Sequence, residues 1–187
     1  MGDSFDETRL GPPEWALDDL ADHIVDRHHR YVQGAIPALR QVLAVAMDRW
    51  GAAHAPLATI HALFDELATE LESHMAKEEH LLFPAIRDLA RATRRHQAAP
   101  AAAFATLLHP IRVMENEHAH ARHLLADLRR ESQAYHAPDA ADDGGRECYR
   151  QLARFDEDLE AHIHLENDVL FPRALDLERQ VSYSGFH

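Results

Sequence analysis

The sequence predicts an all-α protein, an antiparallel up-down-up-down four-helix bundle. Glycine is scarce, at 7 of 187 residues, whereas Ala, Leu, Glu and Arg are abundant, and this composition favours helix. Apolar residues recur at spacings of three and four, as on the buried face of a helix. The second half of the chain also repeats the pattern of the first. A bundle built from two similar helical hairpins accounts for all three observations.

The first two helices are delimited by proline and glycine. The GPP segment at 11–13 prevents an earlier start, so the first helix is expected over about 15–50, and Gly51 ends it. The second helix is expected over about 57–95, after the turn GAAHAP.

The third helix is expected to begin near Pro110, since proline is well tolerated in a first helical turn, and to end near Tyr135. The fourth is expected over about 146–178, after the loop HAPDAADDGG. Short connections make neighbouring helices antiparallel.

The length suits one domain with a substantial core. We expect that domain to cover residues 15–178. A flexible amino-terminal arm (1–14) and a flexible tail (179–187) are expected to flank it.

Charge and composition argue against several classes of protein. Lys and Arg number 19 against 32 Asp and Glu, a net charge of −13, which is unfavourable for nucleic-acid binding. No apolar run approaches the roughly 20 residues of a membrane span, and the acidic amino end lacks a signal-peptide pattern. Cys148 is the only cysteine, which excludes a disulfide framework and argues against an iron–sulfur cluster held by this chain's own thiolates. We expect a cytoplasmic protein without a nucleic-acid or membrane partner.

The internal repeat concentrates on two histidine–glutamate motifs. HMAKEEHLLFP begins at His74, and HIHLENDVLFP begins 88 residues later at His162. Nine of 20 positions are identical between 70–89 and 158–177. A nearly equal offset of 89 relates His29 in the first helix to His118 in the third. The bundle is therefore expected to have a pseudo-twofold axis.

These spacings predict a metal site. His74 and Glu78 lie one helical turn apart on one face, as do His162 and Glu166. One such pair alone is more often an ordinary surface pair, but two at matching places in a repeat indicate shared ligation.

His29 and His118 each interrupt an apolar stripe, which places one more imidazole in the core from each remaining helix. Periodicity alone leaves His28 open as an alternative to His29, although the repeat offset favours His29.

The donor set favours two iron ions. Four imidazoles are too many for calcium or magnesium, which prefer oxygen ligands, and a structural zinc takes four ligands rather than six. Two symmetric halves predict two metals, with each glutamate able to bridge them. Mixed imidazole and carboxylate ligands suit iron or manganese, and iron leads. Ligating histidines also need outer hydrogen-bond partners, for which symmetry offers Glu72 and Glu160.

Pro84 and Pro172 follow the two motifs. Each lacks the N–H that would bond to the carbonyl four residues earlier, so we expect a kink or a helix stop there. Phe83 and Phe171, directly before the prolines, are expected to pack at the ends of the metal cavity.

The segments HIVDRHH, SHMAKEEHLLFP, MENEHAHA and AHIHLENDVLFPRA resemble the hemerythrin-like superfamily. More closely, they resemble the di-iron domain of iron–sulfur cluster repair proteins induced by nitrosative stress. The resemblance covers about 17–175. It implies a non-haem di-iron centre that carries an oxo or hydroxo bridge when oxidised. The implied iron ligands are His29, His74, His118 and His162, with Glu78 and Glu166 bridging.

The sequence departs from that family in two places. The repair proteins usually carry an amino-terminal domain with paired cysteines, which this sequence does not contain, so we expect its role to be absent or supplied by another protein. Relatives also have a further histidine where this chain has Trp50, and His54 is a candidate substitute.

The residues resemble repair-type proteins more than hemerythrin oxygen carriers. The carriers take two histidines four residues apart from their third helix, but position 122, four after His118, is arginine here. Position 167, where the carriers have a ligating aspartate, is asparagine.

The resemblance implies a stress-response protein that binds nitric oxide at a ferrous centre and donates iron to iron–sulfur apoproteins. Catalytic reduction of nitric oxide stays open. Two alternatives also remain: a protein that senses or buffers O2 or NO, and a di-iron oxidase or peroxidase.

Overall fold

The structure, a computed structural model, describes residues 15–97, 106–139 and 141–184. Every regular element within them is helical. Seven α-helical segments and three π-helical turns join into four long helices. The first long helix consists of α1 (Leu17–Ile24), π1 (Val25–His29) and α2 (Arg30–Trp50), and the second of α3 (Pro56–Lys77), π2 (Glu78–Leu82) and α4 (Phe83–Arg94). The third is α5 (Leu108–Glu131), and the fourth consists of α6 (Asp143–His164), π3 (Leu165–Leu170) and α7 (Phe171–Ser184).

Side-chain pairs between neighbouring helices show that the four run up-down-up-down. In each pair of neighbouring helices, a residue with a higher number on one helix contacts a residue with a lower number on the other, as in antiparallel helices. The pairs are Asp18–Arg94 and Asp22–Arg87, then Glu70–His120 and Lys77–Glu117, then Arg122–Glu160 and Arg129–Asp156. The predicted antiparallel four-helix bundle is confirmed.

The ends of the helices differ from the predicted ones by a few residues. The third ends at Glu131 rather than near Tyr135, because Gln133, Ala134 and Tyr135 adopt left-handed backbone angles with φ of 52°, 55° and 62°. Non-glycine residues rarely take these angles, and they turn the chain out of the helix.

The fourth helix is longer than predicted at both ends. It begins at Asp143, three residues early, because the side chain of Asp142 accepts a hydrogen bond from the N–H of Gly145 and caps the first turn. It continues to Ser184 rather than to about Glu178, and Val181 packs against the apolar core. The predicted arm 1–14 lies outside the described residues.

The prolines do not stop their helices. π2 and π3 end directly before Phe83 and Phe171, so Pro84 and Pro172 occupy the second position of a new α-helical segment. An N–H is not needed there, and the wide π turn accommodates the interruption in hydrogen bonding before each proline. Of the two expected outcomes, a kink or a helix stop, the stop is wrong, since the backbone distortion precedes each proline and the helix continues.

A layer of buried polar residues divides the core into two apolar clusters. On the first helix, Ile24 belongs to one cluster and Val32 to the other, with His29 between them. The third helix repeats this order around His118. In the part of the chain that the structure describes, none of the helices combines the length and the apolarity needed to cross a bilayer.

Gly145 allows the fourth helix to approach the indole of Trp50 at the end of the first. A Cβ atom at position 145 would lie 2.0 Å from Cη2 of Trp50. We expect Gly145→Ala to lower the free energy of unfolding by about 1–3 kcal/mol through overpacking, despite the better helix propensity of alanine. Urea denaturation followed by circular dichroism measures the change.

Gly144→Ala is the matched control. A Cβ at position 144 would lie no closer than 3.4 Å to its nearest neighbour, Oδ1 of Asp142, so no loss of stability is expected. Equal stability of the two variants would contradict the close packing of Trp50 on Gly145.

Candidate metal centre

The polar layer is built from residues at or beside the π turns. His29 ends π1, Glu78 begins π2, and Glu166 lies in π3. His74 and His162 precede the two glutamates by one turn, near the ends of α3 and α6. His118 lies within α5, where the helix is regular. Single π turns are frequent at functional sites because they redirect side chains without ending the helix.

The structure brings all six predicted residues together. They form two overlapping groups, and within each group one ligand atom per residue lies within 4.8 Å of the others. We call these groups the 29/162 half-site, with His29 and His162, and the 74/118 half-site, with His74 and His118. Glu78 and Glu166 belong to both. The six residues are at most 3% exposed.

The imidazoles of the 74/118 half-site direct lone pairs at one another. Nδ1 of His74 donates to Oε2 of Glu117 at 2.9 Å, and Nδ1 of His118 donates to Oδ1 of Asn167 at 2.8 Å. With its N–H used outward, each neutral ring keeps a lone pair on Nε2. These two Nε2 atoms are 2.9 Å apart, a contact that requires a proton or a metal ion.

The two glutamates lie between the half-sites. The carboxylate of Glu166 reaches Nε2 of His162 with one oxygen and Nε2 of His118 with the other, both at 3.0 Å. Oε2 of Glu78 is 3.4 Å from Nε2 of His29 and 3.3 Å from Nε2 of His74.

Neither oxygen of Glu78 has a hydrogen-bond partner among the described residues. Buried carboxylates without donors are costly, and metal ions between the histidines would satisfy them. The donor set therefore fits two metal ions that share both glutamates.

Electrostatics in the layer also favour cations. Burial by itself lowers the pKa of His29, but the carboxylates of Glu166 and Glu78 outweigh it and raise the pKa to about 10. Burial likewise opposes protonation of His74, yet Glu78 raises its pKa to about 9. Burial raises the pKa of Glu166, but the neighbouring imidazoles prevail and hold it well below its usual range. In the metal-free protein, protons on His29 and His74 supply positive charge.

The outer hydrogen-bond partners differ from those that symmetry suggested. Glu72 pairs with Arg40 and Glu160 with Arg122, both at 3.0 Å and away from the ligands. The acceptors used instead are Glu79, Glu117 and Asn167. A sequence signal does exist for them, because each is directly adjacent in the chain to a predicted ligand.

The histidines left open by the sequence lie outside both half-sites. His28 is fully buried beside the layer but belongs to neither group. Nε2 of His54 is 3.0 Å from the hydroxyl of Tyr149, and Trp50 packs against Gly145. The geometry therefore gives His54 no place as a substitute ligand.

Two phenylalanines cover one side of the layer, as predicted. Phe83 lies nearly parallel to His29, with ring centroids 5.6 Å apart, and Phe171 lies parallel to His118 at 6.1 Å. Both are fully buried. On the outer side, a cavity of about 330 Å³ between α3 and α5 has His74 and His118 in its wall, together with exposed residues such as His120.

Comparison with known proteins identifies the family. Residues 20–174 match the family described as Hemerythrin, the hemerythrin HHE cation binding domain. The chain is 33% identical over 159 residues to the iron–sulfur cluster repair protein DnrN of Neisseria gonorrhoeae, covering 83% of this chain and 89% of that relative. This chain belongs to the hemerythrin HHE cation-binding family.

Further relatives are longer than this chain. It is 35% identical over 160 residues to the iron–sulfur cluster repair protein YtfE of Edwardsiella ictaluri, and 34% identical over 163 residues to the YtfE protein of Musicola paradisiaca. Each alignment covers 85% of this chain but only 66% of the relative. The chain thus spans slightly less than two thirds of these two proteins.

Loss of one shared carboxylate is expected to impair both half-sites. Glu78→Gln should reduce the bound divalent metal at least by half from about two ions per chain, because a neutral amide replaces the charge that both metals share. Elemental analysis after anaerobic Fe²⁺ loading and desalting gives the stoichiometry. Glu72→Gln, an exposed change beside Arg40, is the control, and equal metal content in the two variants would contradict a shared role for Glu78.

Metal loading is expected to release protons. Since His29 and His74 have pKa values of about 10 and 9 in the metal-free protein, both carry protons at pH 7.5 and must lose them to bind metal. We expect release of about two protons per chain and an affinity that rises with pH up to about 9–10. Calorimetric titration in buffers of different ionisation enthalpy counts the protons, and metal binding without proton release would disprove the assignment.

Proposed function

We propose that this hemerythrin-family chain is a cytoplasmic non-haem di-iron protein of the nitrosative and oxidative stress response. It binds nitric oxide at a ferrous centre and donates iron for the repair of damaged iron–sulfur clusters. His29 and His162 would hold one iron and His74 and His118 the other, with Glu78 and Glu166 available to both.

The observation that carries this proposal is the sharing of Glu78 and Glu166 between two buried pairs of imidazoles. Mixed imidazole and carboxylate donors suit iron better than calcium or magnesium. Two imidazoles and shared carboxylates leave coordination positions open, as in non-haem iron sites that bind small molecules. Ferrous ions there would supply electrons and a binding position for a diatomic ligand.

The surrounding residues favour ligand binding over irreversible metal burial. The cavity between α3 and α5 offers a diatomic molecule a path to His74 and His118. Phe83 and Phe171 cover the rings of His29 and His118 with apolar rings, which limits the access of water to these two ligands. Glu79 and Glu117 accept hydrogen bonds from His29 and His74, which fixes these rings with Nε2 facing inward.

The relatives support the proposed repair role. Proteins named for iron–sulfur cluster repair match most of this chain at 33–35% identity. We therefore assign iron–sulfur apoproteins as the recipients of iron. We propose iron as the donated species, which is consistent with a single, buried cysteine, Cys148.

The function is tested by anaerobic stopped-flow mixing of the ferrous protein with nitric oxide. We expect about two irons per chain and rapid formation of an NO adduct in the visible spectrum. In the presence of a reductant, we also expect transfer of iron to a dehydratase whose iron–sulfur cluster lacks one iron but keeps its sulfide, which restores the activity of that dehydratase. His162→Ala should lose iron, the adduct and the transfer together. One zinc per chain, or no metal, would disprove the proposal.

The NO experiment, repeated with O2 or peroxide in place of NO, separates the alternatives. A sensor or buffer gives a stable adduct without product and without iron transfer. An oxidase or peroxidase consumes O2 or peroxide over many turnovers when a reductant is present. His109→Ala, an exposed change outside both half-sites, is the control for general effects of histidine removal.

A further inference from the structure

The four ligating histidines differ in what their outer nitrogen contacts. Nδ1 of His29 lies 2.9 Å from Oε1 of Glu79, and His74 and His118 have Glu117 and Asn167 as outer acceptors. Nδ1 of His162 is buried and has no hydrogen-bond partner among the residues described. An outer acceptor fixes the orientation of a ligating imidazole and raises its basicity. His162 lacks this support.

The internal symmetry identifies the residue responsible. With the repeat offset of 88, Glu79 in the first half of the chain corresponds to Asn167 in the second half. A hydrogen-bond acceptor is therefore present at this position in both halves. With the offset of 89, Glu117 corresponds to His28. His28 therefore occupies the position at which the repeat would place a hydrogen-bond acceptor for His162.

His28 does not act as that acceptor. Its ring lies almost parallel to the ring of His162, with an angle of 13° between planes and centroids 5.6 Å apart. Neither ring nitrogen of His28 has a hydrogen-bond partner among the residues described, so His28 does not accept from Nδ1 of His162. Nδ1 of His28 lies 3.2 Å from Oδ2 of Asp158, without a hydrogen bond between them.

Burial prevents bulk solvent from compensating. His28 and His162 are each 0% exposed, and Asp158 is 5% exposed. In the other half-site, by contrast, Glu117 is held in place by Lys77 as well as by His74. The 74/118 half-site has two supported imidazoles, whereas the 29/162 half-site has one.

We propose that the two metal positions are unequal, that the 29/162 position releases its metal first, and that His28 is the positioning residue that sets this order. The inference rests on the dimetal centre of the proposed function and adds which of its two ions is donated. The metal ligands are related by symmetry, and the difference comes from residues that do not touch the metals.

Release kinetics test the inequality. The protein is loaded anaerobically with two Fe²⁺ per chain and mixed with excess ferrozine, and absorbance reports the released iron. We expect two phases of equal amplitude whose rates differ by about tenfold or more, the usual effect of outer hydrogen-bond partners on metal sites. A single phase for both ions would overturn the inference.

A matched pair of uncharged substitutions tests the assignment. His28→Gln supplies an amide oxygen that can accept from Nδ1 of His162, as Asn167 does for His118, and should slow the fast phase by about tenfold. Asn167→Leu removes the acceptor of His118 and should accelerate the slow phase by a similar factor. Glu72→Gln should leave both rates unchanged. Acceleration of the fast phase by Asn167→Leu, with the slow phase unaltered, would reverse the assignment and overturn the inference.

A measurement on the unaltered protein does not depend on the folding of variants. With one equivalent of Zn²⁺, hydrogen–deuterium exchange at the C2 position of each histidine, read by mass spectrometry, should be slowed at His74 and His118 before His29 and His162. Preferential protection of His29 and His162 would overturn this inference but not the proposed dimetal centre. Fewer than two metals per chain at saturation would overturn the proposed dimetal centre together with it.

Discussion

The burial of two carboxylates and four imidazoles in one layer is the constraint on which the rest of the structure depends. These six side chains come from all four long helices and are at most 3% exposed, so bulk water does not neutralise or solvate them. Removing an ionised carboxylate from water costs several kcal/mol unless it is paired. The layer is therefore stable only with cations in it, either protons on the imidazoles or metal ions. This requirement joins the fold to the chemistry, because the contacts that hold the helices together at this level are also the donor set of a dimetal centre.

The backbone adapts to this layer where the ligands lie. Three of the four long helices contain a π turn at the level of the site, and His29, Glu78 and Glu166 belong to these turns. The wider turn rotates the following segment, so apolar residues on both sides of the layer still face the core. Pro84 and Pro172 fit this arrangement because each follows a turn whose hydrogen bonding is already irregular. The apolar clusters above and below then hold the polar layer in a rigid frame.

The symmetry of the bundle extends to the ligands but stops at their outer partners. Each half contributes two imidazoles and one carboxylate at matching positions of the repeat. Around them, Glu79 is matched by Asn167, and Glu117 by His28. The repeat preserves the six ligands, but the residues that hydrogen-bond to them differ between its two halves. The two half-sites therefore have similar ligands and different electrostatic surroundings. Under the proposed function, such a difference allows one position to retain its metal while the metal at the other position exchanges.

The sequence by itself determined the helical class, the order of the four helices and five of the six residues of the site, and it favoured His29 over His28 for the sixth. Those features follow from periodicity, from the i, i+4 spacing of His74 with Glu78 and of His162 with Glu166, and from a repeat that can be aligned without coordinates. The tertiary structure decided that His29 rather than His28 belongs to the layer, and that the helices continue through both prolines. It also decided which residues orient the ligands. These are Glu79, Glu117 and Asn167, and not Glu72 and Glu160. Adjacent residues on a helix point about 100° apart, so a single shift of phase exchanges a core position for a neighbouring one. The three π turns produce such shifts at the site, and only the packing of four helices against one another shows where each of them falls.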